Sequence, residues 1–215
     1  MSLPISFFER PVERVARDLV GCRLVSDVEE ERVAGRIVET EAYGMDEEAF
    51  FGRHVRLTES GEVRTSPTGA VLLGARGAAF IYSVFFGNWL LNVVAGPPGY
   101  LGCVLIRAVE PLEGVDHMRR RTQSTSRVDR LAAGPGRLTR AFAINGSLNG
   151  HDLRKPPLVL YPKSAGVEPR LAVGPRALNE AHAPDARELP WRFVDAGSPS
   201  LSRPARRVAD RWRSP

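Results

Sequence analysis

The segment Gly35–Tyr43 constrains the fold more than any other part of this chain. Apolar and β-branched residues dominate it and no glycine or proline follows Gly35, so the segment predicts a long strand. Side chains of a strand alternate between faces, which places Ile37, Glu39, Glu41 and Tyr43 on one face. Carboxylates on such a strand are costly to bury unless they are paired, solvated or used chemically. A solvated face and a catalytic carboxylate beside an aromatic ring both fit, and residue chemistry alone does not choose between Glu39 and Glu41.

The rest of the pattern favours an α+β domain with a curved, mainly antiparallel β-sheet, surrounded by helices and carrying a protruding β-hairpin, because strands do not alternate regularly with helices. Helices are predicted over Pro11–Val20, Pro111–Arg121 and Gly136–Ile144, and a short helical turn over Asp46–Phe51. Strands are predicted at Cys22–Val25, Val33–Tyr43, Val71–Leu73, Ala79–Phe86, Trp89–Val94, Cys103–Val109, Leu158–Tyr161, Arg170–Val173 and Trp191–Val194. The polar stretch Gly52–Gly69 is predicted to be a surface loop.

The 215 residues suit one domain, predicted over residues 1–200, with a flexible Arg/Pro/Ser-rich tail over 201–215. No apolar run approaches the ~18 residues that cross a membrane, and no signal peptide is visible, so a cytoplasmic location without membrane contact is expected.

The net charge of +5 favours a polyanionic partner such as nucleic acid. The four histidines are scattered, which predicts no metal site. Cys22 and Cys103 lie in apolar segments and are predicted to be buried free thiols.

Four blocks of the sequence resemble the alkyladenine (3-methyladenine) DNA glycosylase family. They are Gly35–Tyr43, Phe80–Asn92, Cys103–Pro111 and Gly134–Thr139, and they stand in the family's order with similar spacing. The resemblance implies a monomeric, cofactor-free enzyme that acts on double-stranded DNA of the nucleoid. Such an enzyme flips alkylated or deaminated purines out of the duplex and hydrolyses the N-glycosidic bond, leaving an abasic site without cutting the strand.

By this resemblance Glu41 is the general base that activates water for attack at C1′, and Arg107 helps to hold that water. Residues matching Tyr43 and Tyr82 stack on the flipped base. Phe51 stands where the family has a histidine, while His54 is near that place but out of register.

The resemblance also implies roles around the base and along the DNA. Phe85 takes the place of an intercalating tyrosine on a hairpin, a wedge that fills the gap left by the flipped base. Asn92 would contact the minor-groove edge of the base and reject undamaged guanine. The backbone carbonyl of Leu171 aligns with a third contact to the water, and Arg137 would bind a DNA phosphate.

Other readings of the same residues remain open at this stage. The aromatic residues also suit ordinary core packing, and Arg107 in its apolar strand also suits a purely structural ion pair. A non-catalytic damaged-DNA-binding protein of the same fold is the main alternative function, and an enzyme acting on a nucleoside or another ligand is a second. A lyase would need an amine nucleophile. The only lysines, Lys155 and Lys163, lie outside the matching blocks, although the N-terminal amine is not excluded.

Overall fold

The computed structural model of the protein describes residues 1–84, 87–178, 186 and 188–202. The helices in these residues are α1 (Ile5–Phe8), α2 (Val12–Leu19), α3 (Val115–Thr122) and α4 (Pro135–Ala141). The strands are β1 (Arg23–Ser26), β2 (Val33–Gly44), β3 (Val55–Leu57), β4 (Val63–Thr65), β5 (Ala79–Val84), β6 (Asn88–Val94), β7 (Gly102–Glu113), β8 (Leu158–Tyr161), β9 (Leu171–Gly174) and β10 (Arg192–Asp195).

Strand β2 forms the centre of an eight-stranded sheet whose main path runs β5-β6-β7-β2-β1-β8. Strand β7 pairs along one edge of β2, while β1 pairs with the first half of the other edge and β10 with the second half. Strand β9 adds to β10. All pairings between these strands are antiparallel, so the α+β fold with a mainly antiparallel sheet is confirmed.

The main core lies on the face of the sheet that helix α2 covers. Pro11 precedes this helix, and its apolar side chains Val12, Val15, Ala16 and Leu19 are almost completely buried. Each large side chain buried in this way contributes about 1.5–3 kcal/mol. The residues of β2 that face α2 include Ala42 in the same cluster and Thr40, whose hydroxyl donates to the carbonyl of Ala16 over 2.7 Å.

Paired bulges interrupt the alternation of β2 and β7 at one point. Between Ile37 and Glu39 strand β2 carries an extra residue, Val38, and between Glu39 and Thr40 strand β7 carries an extra residue, Arg107. Ile37 therefore joins Ala42 in the main core, and its predicted place on the face of Glu39 and Glu41 is wrong. Bulges re-aim side chains next to functional sites.

Three predicted segments differ from the structure. The predicted loop Gly52–Gly69 contains the hairpin β3–β4, closed by a backbone hydrogen bond from Thr58 to Glu62 of 2.8 Å. The predicted strand Val71–Leu73 belongs to a 3-10 helix over Gly69–Leu73, which buries Leu72. Strand β7 continues through Pro111, because this proline faces Gly35 at a register shift where no ladder N–H is required.

Candidate active site

A row of residues crosses the sheet at the level of Glu41, on the face opposite to the main core. Neighbouring strands contribute one residue each to this row, which reads Phe80, Asn92, Leu105, Glu41, Arg192 and Gly174. Residues that pair directly across strands project to the same face. Because strands lie about 4.8 Å apart, the backbones of Asn92 and Gly174 are each about 10 Å from that of Glu41.

The carboxylate of Glu41 is completely buried and fully engaged. Its Oε2 accepts hydrogen bonds from the Tyr43 hydroxyl over 2.8 Å and from Nη1 of Arg107 over 3.2 Å. Its Oε1 accepts from the backbone N–H of Ala177 over 2.7 Å and lies 4.0 Å from Nε of Arg192. The predicted pairing of Glu41 with Arg107 is therefore present in the structure.

Opposing effects set the pKa of Glu41. Burial raises it, while the charges of Arg107 and Arg192 and the hydrogen bonds from Ala177 and Tyr43 lower it, and the net pKa lies below the ordinary value of 4.5. Glu41 is therefore ionised at neutral pH. Because its pKa is lower in the folded than in the unfolded chain, ionised Glu41 stabilises the fold above pH 4.5, and this contribution is lost as pH falls through the folded-state pKa.

Glu39 is also completely buried; it shares Arg107 and Arg192 with Glu41, and its remaining partner is Ser202. Its Oε1 accepts from Nε of Arg107 over 3.2 Å and from the Ser202 hydroxyl over 2.8 Å, and it lies 2.5 Å from Nη2 of Arg192. Its Oε2 accepts from the backbone N–H of Ser202 over 2.7 Å. Glu39 thus binds protein groups at both oxygens, and Val38 and Val194 pack beside it in a small apolar cluster rather than an aromatic one.

Tyr43 is held between Glu41 and Arg176. The guanidinium of Arg176 lies 4.6 Å from the centre of the Tyr43 ring and 5.4 Å from that of Trp191. Arg176 is itself fixed by Glu47 through two hydrogen bonds of 2.8 Å. Burial and the neighbouring charge of Glu41 raise the pKa of Tyr43 well above its ordinary value, so its hydroxyl stays protonated and can donate to Glu41.

An apolar cluster surrounds the outer side of Tyr43, and it includes both predicted stacking residues and Phe51. The ring of Tyr82 lies 5.0 Å from that of Phe80 and 4.8 Å from that of His54. Burial raises the pKa of Tyr82, with smaller contributions from Cys103 and Glu41, so its hydroxyl stays protonated.

His54 belongs to this cluster although its sequence position is out of register with the family's histidine. Its Nδ1 lies 3.0 Å from the hydroxyl of Ser66, and burial lowers the pKa of the ring. Its Nε2 is buried and has no hydrogen-bond partner among the described residues. Folding therefore brings an imidazole with one uncommitted nitrogen against Tyr82, and the sequence alignment alone does not reveal it.

Phe51 lies at the rim of the same cluster. It is half-buried, packs edge-to-face against Phe50 with ring centres 5.5 Å apart, and follows a 3-10 turn over Glu48–Phe50. A shallow surface pocket of about 540 Å³ is lined by Glu48, Phe51, Gly52, Val55, Arg56 and Leu57. Phe51 thus reaches both the aromatic cluster and the open surface beside the hairpin β3–β4.

Asn92 lies in the floor of the site. Its side chain is almost completely buried, and its Nδ2 donates to the carbonyl of Phe80 over 3.1 Å. The thiol of Cys103, which is buried and free as predicted, lies 4.0 Å from its Oδ1. One N–H of the amide remains without a hydrogen bond in the described part of the chain.

Leu171 lies away from Glu41. It pairs with Asp195 at the far end of β9, whereas Gly174 is the residue of that strand level with Glu41. Its side chain packs against the main core on the other face of the sheet. The structure therefore does not bring Leu171 together with Glu41 and Arg107.

Two further predicted residues concern the DNA. Phe85 lies outside the described residues, and its sequence position falls between β5 and β6. Arg137 is exposed on α4 and lines a polar surface pocket of about 340 Å³. The other lining residues are Thr122, Gln123, Ser124, Thr125, Arg130, Leu131 and Arg140.

Within the residues that the structure describes, no three histidine, cysteine, aspartate or glutamate side chains are grouped so that they could hold a metal ion. None of the helices found there is long and apolar enough to span a membrane.

Comparison with known proteins connects this geometry to a family. A family model described as "Methylpurine-DNA glycosylase (MPG)" matches residues 6–199. The chain belongs to the methylpurine-DNA glycosylase family.

Curated relatives from distant organisms carry one name, "Putative 3-methyladenine DNA glycosylase". The relative from Salinibacter ruber is 48% identical over 73% of this chain and 76% of its own length. The relative from Nitrosospira multiformis is 40% identical over 96% of each chain. The relative from Methanoculleus marisnigri is 38% identical over 94% of this chain and all of its own.

In this methylpurine-DNA glycosylase family member, several groups around Glu39 and Glu41 are not among the residues predicted from the sequence. Arg192 lies in an apolar strand just as Arg107 does, so the cost of burying an unpaired guanidinium could have singled it out. The segment of Arg176 and Ala177 carries no such signal. Ser202 likewise reaches Glu39 from the end of the described chain.

Proposed function

We propose that this protein is a monofunctional DNA glycosylase that removes alkylated or deaminated purines of the 3-methyladenine type from double-stranded DNA. The observation that carries the proposal is the ionised, buried carboxylate of Glu41, which is paired with Arg107 and joined through Tyr43 to a cluster of aromatic rings. Membership in the methylpurine-DNA glycosylase family and the names of the relatives support the same activity.

The proposed reaction is a hydrolysis at C1′ of the deoxyribose. The oxygen of a water molecule forms a bond to C1′ as the bond from C1′ to the purine nitrogen breaks, and the purine leaves with the electron pair of that bond. Glu41 accepts a proton from the water, and its negative charge stabilises the oxocarbenium-like transition state. Arg107 keeps Glu41 ionised in its buried position and orients the carboxylate.

The aromatic cluster is proposed as the slot for the flipped base. Tyr43 and Tyr82 offer ring faces, and stacking contributes about 1–3 kcal/mol per base. A cationic alkylated purine gains further from attraction to these rings. His54 supplies the imidazole that Phe51 lacks, and its uncommitted Nε2 is suited to hydrogen-bond the edge of a base.

Selectivity and flipping are assigned to groups around this slot. Asn92 would use its remaining N–H near the minor-groove edge of the base, where a guanine carries its 2-amino group. Phe85, which falls between β5 and β6 in the sequence, would fill the gap in the duplex as an apolar wedge. Arg137, exposed beside Arg130 and Arg140, would bind a phosphate.

The absence of lyase chemistry is part of the proposal. Lys155 is exposed and lies 3.6 Å from Asp152, and Lys163 packs against Gly21 at the end of α2, so neither neighbours Glu41. Without an amine at C1′, the product is a free base and an intact abasic strand.

One observation favours the alternative of a non-catalytic protein that binds damaged DNA. Both oxygens of Glu41 already accept hydrogen bonds from the protein, and its side chain is 0% exposed. Catalysis requires a water to reach this carboxylate when a base occupies the slot, whereas binding does not.

The deciding experiment measures base release from duplexes that each carry one 3-methyladenine, 7-methylguanine, hypoxanthine or ethenoadenine. Wild type, Glu41→Gln and the control Glu30→Gln, an exposed residue between β1 and β2, are compared under single-turnover conditions. We expect Glu41→Gln to release the base about 10²–10⁴ times more slowly than wild type, because general bases contribute about this much. Lesion binding should be retained. Equal release by Glu41→Gln would refute its role, and specific binding without release by wild type would favour the alternative.

A further inference from the structure

Four buried charges form one network beneath the aromatic cluster. Glu39 and Glu41 are both 0% exposed, and the side chains of Arg107 and Arg192 are 13% and 4% exposed. Two carboxylates and two guanidiniums balance in charge, and their mutual attraction offsets part of the cost of burying them.

Each guanidinium in this network is shared between the two carboxylates. Arg107 donates through Nε to Glu39 and through Nη1 to Glu41, both over 3.2 Å. Arg192 lies much closer to Glu39, at 2.5 Å, than to Glu41, at 4.0 Å. Glu39 is therefore the principal partner of Arg192, and it shares Arg107 equally with Glu41.

The sheet places Glu39 between the strands that carry the two arginines. Glu39 lies at the paired bulges, where Arg107 is the extra residue of β7, and it is flanked on the other side by β10, which carries Arg192. Ser202 donates two further hydrogen bonds to Glu39, from its backbone N–H and from its hydroxyl. Glu39 lies beside the small apolar cluster of Val38 and Val194, whereas Glu41 is joined through Tyr43 to the aromatic cluster. Any effect of Glu39 on the reaction therefore passes through Arg107 and Arg192.

We propose that Glu39 is a positioning residue that divides the two guanidiniums between two carboxylates, so that Glu41 retains the proton affinity that a general base needs. This inference rests on the proposed function. If Glu39 lost its charge, Arg107 and Arg192 would both act on Glu41 alone, and in a buried site these attractions are strong. Glu41 would then hold a proton less readily and accept one from water more slowly.

The groups that face Glu41 set the expected pH dependence. They are Glu39 and Tyr43 on β2, Arg107 on β7, Arg192 on β10 and Tyr82 on β5. Arg176 lies behind Tyr43, where Glu47 pairs with it. Burial raises the pKa values of Tyr43 and Tyr82, so both hydroxyls stay neutral over the working pH range and the acidic limb of the rate profile reports Glu41.

The test compares a variant that removes a positive charge with one that removes a negative charge. The substrate is a duplex with 7-methylguanine, whose cationic base leaves without prior protonation. Arg192→Gln removes a cation and should shift the acidic limb of the single-turnover rate upward by about one pH unit, while Glu39→Gln should shift it downward and slow the plateau about tenfold. The double variant, again balanced in charge, should return the limb and plateau toward wild type. Lesion affinity should change less than threefold throughout.

A merely structural role for Glu39 predicts something else. Both single variants would then lose activity and thermal stability together, the limb would move in the same direction or not at all, and the double variant would be worse than either. That pattern would overturn the proposal.

A second readout is independent of turnover. Carboxyl ¹³C NMR of glutamate-labelled protein follows the titration of Glu41 directly, and its midpoint should rise in Arg192→Gln and fall in Glu39→Gln. If wild type releases no base but these shifts occur, the proposed function fails and the positioning role of Glu39 stands. If the midpoint stays unchanged in both variants, the positioning role fails whatever the activity.

Discussion

At the scale of single residues, the buried Arg176 makes more contacts than an arginine at the protein surface can make. Its guanidinium donates to both oxygens of Glu47 and to the backbone carbonyls of Ala42 and Ala186, and its side chain is 0% exposed. It also packs on the ring of Tyr43. One side chain therefore ties the segment after β9 to the end of β2 and to the proposed slot.

We expect Arg176→Gln to lower the free energy of unfolding by about 3–5 kcal/mol, because Glu47 would be left buried without its cation. The matched change Arg154→Gln breaks the half-exposed pair with Asp152 and should cost about 0–1 kcal/mol. Urea denaturation of the two variants gives the comparison. Equal losses would show that Arg176 acts as an ordinary surface arginine does.

At the scale of elements, the close contact of β2 with β7 depends on glycine at position 35. A Cβ there would lie 2.3 Å from Cγ1 of Val109 and 2.7 Å from the carbonyl oxygen of Glu110, and backbone atoms cannot move aside easily. The bulges that place Glu39 and Arg107 follow directly along the same pair of strands.

We therefore expect Gly35→Ala to destabilise the protein by about 1–3 kcal/mol, as overpacking does. A control is Gly52→Ala, where a Cβ would meet nothing within 4 Å and the change should stay within about 0.5 kcal/mol. Thermal unfolding of both variants and wild type at the same pH measures these two changes in stability. A Gly35→Ala variant as stable as wild type would mean that β7 can shift without cost.

Local sequence patterns predict these elements well where the pattern and the packing agree. Strand β2 was predicted over Val33–Tyr43 and ends at Gly44, because its apolar alternation survives except at Val38. The segment Val71–Leu73 is equally apolar but belongs to a 3-10 helix that begins at Gly69, where a Cβ would lie 2.2 Å from the carbonyl oxygen of His54. That contact is not visible in the local sequence.

The candidate site follows the same rule. Arg107 lies in the apolar strand β7 and needs a buried anionic partner. Glu39 and Glu41 on another predicted strand are the carboxylates that the sequence offers. By contrast, Ser202 meets Glu39 across 163 residues and Ala177 meets Glu41 across 136 residues, and neither contact has a local signature. His54 reaches Tyr82 because the hairpin β3–β4 folds back, and no alignment position shows this.

At the scale of the whole molecule, exposed arginines lie on both faces of the sheet. Arg53 and Arg56 are exposed beside Phe51 on the same side as the aromatic cluster, whereas Arg14 and Arg17 are exposed on α2, which covers the opposite face of the sheet. Under the proposed function, only the first group would meet the phosphates of a bound duplex.

We expect Arg56→Gln to reduce the slope of log affinity against log salt concentration by about 0.9, the value for one lost phosphate contact. Arg17→Gln carries the same charge change and should leave the slope unaltered. Fluorescence anisotropy with a lesion-containing duplex between 50 and 300 mM salt, roughly the range where such slopes are linear, measures both. Equal slopes for the two variants would remove the hairpin from the DNA-binding surface.

The paired bulges also bear on how a gene for this protein tolerates the loss of a codon. Removing codon 38 deletes the extra residue of β2, so Ile37 stays in the core and Glu39, Glu41 and Tyr43 keep their face. Removing codon 40 leaves the bulge in place and turns Glu41 and Tyr43 toward the core. Within this one strand, deletion of one codon therefore keeps Glu41 and Tyr43 in the site at position 38 and removes them from it at position 40.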